Sequence, residues 1–214
     1  MTYSLKGCLI GLSFKMMKPF RAHYLKSKLK RNRNKQICLL CNNCTGGVIL
    51  HDLGLPFNTP TINMGIRNPE EFLYFVENIG ELIHEEVHEL DYDKYNHPAG
   101  YLLHKGNTID VVFTHYNSFE EGRRKWLERM KRVDLNNIYI LYEGPHVTTA
   151  FLERFSKLPY KKVVLSNIKE VDYPFYHGYS FYKEWKYGKI LEYKSLFSVK
   201  RYLDEFDYVS FFNE

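Results

Sequence analysis

Three groups of residues have types and spacings that could do chemistry. The first is the turn Asn42-Asn43-Cys44-Thr45-Gly46-Gly47. It follows a short apolar run and precedes a predicted helix. Two glycines let backbone N–H groups approach a phosphate, and a helix start favours an anion. Asn42, Asn43, Gly46 and Gly47 are therefore candidate ligand contacts. Cys44 adds a nucleophile if a base stands near it. His115, in the turn after a later predicted strand, is the candidate base toward Cys44 or a bound hydroxyl, given two neighbouring parallel strands that open both turns at one sheet edge. Otherwise His115 caps the next helix or bonds the backbone. The same residues also satisfy a tight turn that needs glycine for its backbone angles. The second group is Cys38-x2-Cys41-x2-Cys44, whose spacing resembles iron–sulfur and zinc sites. It lacks a near fourth ligand, since Cys8 lies thirty residues earlier. Cys38 and Cys41 fall inside the apolar run and read as small buried hydrophobes. The third is His84-Glu85-Glu86-Val87-His88, which matches the H-E-x-x-H zinc-protease pattern.

Positioning these residues requires elements, and the hydrophobic periodicity supplies them. Residues 15–35 read as a basic helix ending near Asn32 and Asn34. Ile37 to Cys41 suits a buried strand. A short helix is expected from Val48 to Asp52, stopped by Gly54. The spacing of Phe72, Phe75, Val76, Ile79, Leu82, Ile83, Val87 and Leu90 predicts one helix over 69–90, opened by Pro69. On that helix His84 and His88 share the polar side with Glu77, Glu81 and Glu85, so the zinc motif reads as a solvated face. The loop Asp91 to Gly100 follows. Tyr101 to Leu103 and Ile109 to Phe113 read as strands joined through Lys105-Gly106-Asn107. Ser118 and Glu121 form a capping box for a helix to about Arg132. Ile138 to Tyr142 and Lys162 to Leu165 are further strands, separated by a helix over 148–157. Helices alternating with apolar strands predict an α/β domain of three layers with a mixed, mostly parallel sheet. The expected organisation is a basic arm or helix over 1–36 and a single α/β domain over 37–214.

The chain carries a net charge of +5, unevenly spread. Residues 1–51 hold ten basic residues and no Asp or Glu, while the other 20 basic residues stand against 25 acidic ones. The arm suits either the net-negative body or an anionic membrane surface, which residues 15–35 would touch weakly. No base-reading motif for nucleic acid is visible, and no sequence-specific nucleic acid is expected. The run Gly7 to Phe14 is too short to span a bilayer and has no clear cleavage site after it. Four Cys in 214 residues are no disulfide framework. A reducing, cytoplasmic setting is expected, peripheral to the inner face of the membrane if the arm docks there.

Several segments together resemble one bacterial family. Asn42 to Gly47 resembles its "NNC-x-GG" signature, and Leu53-Gly54-Leu55-Pro56-Phe57-Asn58-Thr59-Pro60-Thr61 its "LGLPYNSPT" stretch. His115-Tyr116-Asn117-Ser118-Phe119-Glu120-Glu121 and Lys125-Trp126-x2-Arg129-x2-Arg132-Val133 resemble its "HY-x-S-x-EE…KW-x-RR-x-x-RI" block. The chain thus resembles the domain-of-unknown-function 1919 family, whose members are often labelled exopolysaccharide biosynthesis proteins. The family pattern has Ser at Cys41 and does not use Cys38, which leaves Cys44 as the motif cysteine. The chain departs from the pattern at Thr45, usually Trp, and at Asn136, often Asp. These blocks add Thr61, Tyr116 and Arg129 to the candidate ligand-binding residues. The resemblance implies a role in cell-surface polysaccharide assembly. The expected ligand is a phosphorylated sugar or glycan precursor, with transferase chemistry through Cys44 and His115. The alternatives are a non-catalytic glycan- or anion-binding module and a metal-dependent hydrolase. No cofactor is expected.

Overall fold

The computed structural model describes residues 5–90, 94–145, 147–167, 171–180 and 188–214, with backbone alone for residues 5–15. Met1 to Ser4 of the basic arm and the stretch 91–93 of the expected loop lie outside the described residues.

Four strands form a parallel sheet in the order β1-β5-β6-β7: β1 (Cys38–Cys41), β5 (Ile138–Glu143), β6 (Lys161–Asn167) and β7 (Tyr176–Tyr179). β1 and β5 are buried at every residue, as an apolar strand covered on both faces must be. Alternate residues of β1 and β5 point to opposite faces. Leu40, Ile140 and Tyr142 join one core with Phe72, Phe75, Trp126 and Phe151. Leu39 and Leu141 join another with Ile49, Leu50, Tyr208 and Phe212. Helices α3 (Pro69–Glu77), α5 (Phe119–Met130) and α6 (Thr149–Ser156) supply the first core. Helices α2 (Thr45–Asp52) and α7 (Tyr208–Asn213) supply the second. The result is the three-layered α/β arrangement with a mostly parallel sheet that the alternation of elements implies.

Two expectations change. The long helix over 69–90 ends at Glu77, where Asn78 leaves helical geometry and its side-chain amide donates to the Tyr74 carbonyl at 2.9 Å. A single turn, α4 (Ile79–Leu82), follows, and His88–Leu90 is a strand, β2. β2, β3 (Ala99–His104) and β4 (Asn107–Val112) form a separate antiparallel sheet. The β3–β4 hairpin turns through Lys105 and Gly106, both at positive φ, as a two-residue hairpin turn requires. The H-E-x-x-H residues therefore lie on a turn and an edge strand, and no helix face carries both histidines. The apolar spacing misleads here because Val87 is also buried as a residue entering a strand.

The two sheets are joined by a strap. Gly65 pairs with Val112 of β4 through backbone bonds of 2.9 and 2.8 Å. The next residue, Ile66, donates its N–H to the Asn42 carbonyl at 3.0 Å, just past β1. The segment 64–66 thus fixes the end of β4 against the end of β1.

The basic arm is the helix α1 (Leu5–Arg31), ten residues longer at its start than expected. One side docks on the body through buried charges. Arg21 bonds Asp52 of α2 and Asp204 of the 3₁₀ turn Tyr202–Glu205. Lys28 bonds the other oxygen of Asp204 at 2.8 Å. Among the described residues, no helix is long and apolar enough to cross a membrane.

Candidate active site at the ends of β1 and β5

The chain leaving β1 is held by its own amides. Asn42 accepts from the Glu143 N–H at 2.8 Å and donates to the Glu143 carbonyl at 2.9 Å. That pair of bonds continues the β1–β5 ladder through a side chain. Asn43 donates to the Glu143 carboxylate and to its carbonyl, and accepts from the Thr45 N–H at 3.0 Å. Thr45 reaches the same carboxylate at 3.5 Å. A buried carboxylate is costly unless hydrogen-bonded, and these amide and hydroxyl donors meet that need for Glu143.

Helix α2 starts at Thr45, three residues before the expected start, so Gly46 and Gly47 lie inside it. A Cβ on Gly46 would sit 2.7 Å from the Cys41 Cβ, and one on Gly47 would strike the Asn63 side chain. These glycines allow a helix to press against β1 and the 62–63 segment. Two N–H groups of the first turn have partners within the chain: Thr45 bonds Asn43, and Gly46 faces the Cys41 sulfur. Close packing is thus the role that the structure gives Gly46 and Gly47.

Cys44 is the N-cap residue of α2, at the positive end of the helix dipole. Its Sγ lies 3.1 Å from Nε2 of His115 and 3.7 Å from Oγ1 of Thr114. Cys44 is half-buried and His115 exposed, so the pair is open to solvent. His115 stands three residues beyond β4, which is antiparallel and belongs to the other sheet. The expectation of two neighbouring parallel strands is therefore corrected. The 64–66 strap joins the ends of β1 and β4 instead. Phe113, fully buried against Tyr116 and Phe119, anchors the turn on its other side. Among the described residues His115 has no other side-chain partner, which makes this a dyad without an orienting carboxylate.

Cys38 and Cys41 are three apart in a strand and so point to opposite faces. Cys38 joins the first core and takes the Asp134 N–H on its sulfur at 3.3 Å. Cys41 joins the second core, and burial pushes its thiol up to about 12. The two sulfurs cannot share one ion with Cys44. Among the described residues no three His, Cys, Asp or Glu side chains gather as a metal site.

The other candidates have structural partners. Thr61 accepts from the Cys41 N–H at 3.1 Å, which ties its segment to β1. Arg129 is buried, bonds the Ile62 carbonyl and lies over the Phe57 ring. Tyr116 packs edge-on against Phe113. A cavity of about 360 Å³ instead opens at the Asn42–Asn43 turn, lined by Asn42, Asn43, Arg67, Tyr142, Glu143, Gly144 and Pro145. Arg67 is exposed, forms no ion pair among the described residues, and lies over the Tyr95 ring. Burial raises the Tyr142 phenol far above its ordinary value, so it lines the cavity as a neutral group.

Sequence reasoning missed Arg67, Thr114 and the Glu143 turn. Glu143-Gly144-Pro145 follows a strand just as Asn42-Asn43-Cys44 does, and ligands in open α/β sheets sit where such turns meet. That shared position after strands is the signal that could have paired them.

The model of one protein family, "Domain of unknown function (DUF1919)", matches residues 15–213. An "Uncharacterized protein" of Haemophilus influenzae (strain ATCC 51907 / DSM 11121 / KW20 / Rd) is 32% identical over 185 residues, covering 84% of this chain and 85% of that protein. The family match spans both turns, the strap and the docked part of α1. The chain belongs to the DUF1919 family.

Proposed function

We propose that this chain is a cysteine-dependent group-transfer enzyme of cell-surface polysaccharide biosynthesis. Its substrate is a phosphorylated sugar or glycan precursor bound in the cavity at the ends of β1 and β5. The observation that carries this reading is the 3.1 Å contact between Cys44 Sγ and His115 Nε2. Imidazole accepts the thiol proton as sulfur attacks the electrophilic centre of the donor. A bond forms from Sγ to that centre, and the bond to the leaving group breaks. The leaving group takes the proton back from His115. An acceptor hydroxyl then gives its proton to His115 and attacks the same centre, and the departing sulfur takes that proton from His115 to restore the thiol and the neutral imidazole. Thr114, 3.7 Å from the sulfur, supplies a hydroxyl beside the reacting atoms. Arg67 offers a positive charge to the precursor's phosphate, as a guanidinium fork suits. The polysaccharide assignment rests on the family resemblance and would place the protein on the cytoplasmic side of the membrane.

The test is product formation from a panel of nucleotide-sugars and polyprenyl-linked sugars, with Cys44→Ser beside the unaltered chain. Turnover that disappears in Cys44→Ser is the expected outcome. Equal turnover in both proteins would overturn the assignment.

One observation favours a second reading, a non-catalytic glycan- or anion-binding module. The cavity lining includes Asn43 and Arg67 but neither Cys44 nor His115. Binding of a precursor that is never consumed, and is lost in Arg67→Ala, would select the module. The hydrolase alternative loses its motif with the helix over 84–88.

A further inference from the structure

Helix α1 is docked with its charges inward. At about 100° per residue, Arg21, Leu25 and Lys28 fall on one side of the helix. Arg21 and Lys28 are buried there in the ion pairs with Asp52 and Asp204. Met16, Phe20, His23, Lys26, Ser27 and Lys30 fall on the opposite side, within an arc of about 120°. All six are exposed, Met16 by 59% and Phe20 by 62%. A soluble helix normally shows the reverse pattern, apolar residues inward and charges outward.

A loop of the C-terminal segment lies against the same helix. Arg21 donates to the Val199 carbonyl at 2.9 Å, and Lys200 lies over the Tyr24 ring. That loop carries Phe197, exposed by 68%, and Leu196, exposed by 48%. Seven large hydrophobic residues are exposed among the described ones, and five of them are Met16, Phe20, Leu29, Leu196 and Phe197. The charged residues of that outer face have one sign. Lys26 and Lys30 form no ion pair among the described residues, and residues 1–51 contain no acid to neutralise them.

We propose that the outer face of α1, with the Leu196–Phe197 loop, docks on an anionic phospholipid surface. Exposed aromatic and aliphatic side chains would enter the interface while lysines meet the headgroups, which is how an interfacial helix binds. Electrostatics selects the anionic bilayer over a neutral one. Because the inward side of α1 is already held by buried ion pairs, the helix needs no release from the body to bind. The proposal stands whether or not Cys44 is catalytic.

The test is co-sedimentation of the full chain with vesicles of phosphatidylcholine alone or with about one-third phosphatidylglycerol. Binding is expected on the anionic vesicles only, falling steeply between about 0.05 M and about 0.5 M salt as the charges are screened. Lys26→Gln with Lys30→Gln should weaken it about 25-fold, at about fivefold per lysine. Phe20→Ser with Phe197→Ser should weaken it about tenfold or more. Thermal unfolding of each variant, expected to match the unaltered chain, separates lost binding from lost folding. Equal binding to neutral vesicles, or none to anionic ones, would overturn the proposal. So would self-association abolished by Phe20→Ser, which would assign the face to a second copy of the chain.

Discussion

Gly65 and Val112 exchange two backbone hydrogen bonds, and this isolated bridge ties the ends of the two sheets together. Cys44 follows the parallel sheet's first strand and His115 follows the antiparallel sheet's last. Neither sheet alone could set their separation. The bridge, with the bond from Ile66 to the Asn42 carbonyl, brings the two strand ends together. Replacing Gly65 tests this. A Cβ there meets only ordinary contacts at 3.8 and 3.9 Å, so Gly65→Ala should unfold near the unaltered temperature. Gly65→Pro removes the donor to Val112 and should cost about 1–3 kcal/mol. Cys44 alkylation should slow in the proline variant and not in the alanine one.

Asn42 carries the second prediction. Its two bonds to the Glu143 backbone close the gap between β1 and β5 beyond the last ladder bonds. Asn42→Ala removes the acceptor that faces the buried Glu143 N–H and one of the two amide donors to its carbonyl, at about 1–3 kcal/mol. Asn42→Asp should cost more, because its carboxylate replaces the donor that faces the Glu143 carbonyl. Urea denaturation should show a lower midpoint with an unchanged slope in each case.

Asp204 ties α1 to the body, and its titration sets a pH dependence. Burial alone would raise its carboxyl pKa. The hydrogen bond and charge of Lys28, with the Arg201 N–H and the charge of Arg21, hold it below the ordinary value. A folded pKa below the unfolded one gives stability that is present above the unfolded value, about 3.9, and lost as pH falls through the folded one. Asp204→Asn should cost about 3 kcal/mol at neutral pH, since it leaves buried cations short of a partner. The gap in melting temperature between the two proteins should stay level down to about pH 5 and close below about pH 4. A gap that widened on acidification would contradict the assigned direction.

Much of this architecture was legible in the sequence. The cap expected at Ser118 starts α5, with a side-chain bond of 3.2 Å to the third helical residue. The runs expected as strands at 37–41, 138–142 and 162–165 fall on β1, β5 and β6, because a covered parallel sheet needs continuous hydrophobicity. What failed did so for physical reasons. A three-four spacing continued past Asn78 because one buried strip can be served by a helix, a turn and a strand in succession. Arg129 reads as a candidate ligand contact, yet it is buried and bonds the Ile62 carbonyl. Glu143 is a hundred residues from Asn43, and no local pattern announces a contact across that separation.

Thiol protection gives the fourth prediction. Cys41 is fully buried with its thiol pushed up to about 12, and burial also raises Cys38. Among these three, Cys44 alone is half-exposed. Brief native-state alkylation followed by mass mapping should label Cys44 and spare Cys38 and Cys41 until the chain is unfolded. Early labelling of Cys41 would mean that α2 does not pack on β1 as described.

The central claim is that His115 activates Cys44, and the rate of Cys44 alkylation by iodoacetamide at neutral pH tests it most directly. The unaltered chain should react at least about tenfold faster than a free thiol such as glutathione. His115→Ala should remove that advantage while its melting temperature stays within a few degrees, since the side chain is exposed. A Cys44 that reacts no faster than glutathione, or equally fast with and without His115, would contradict the account.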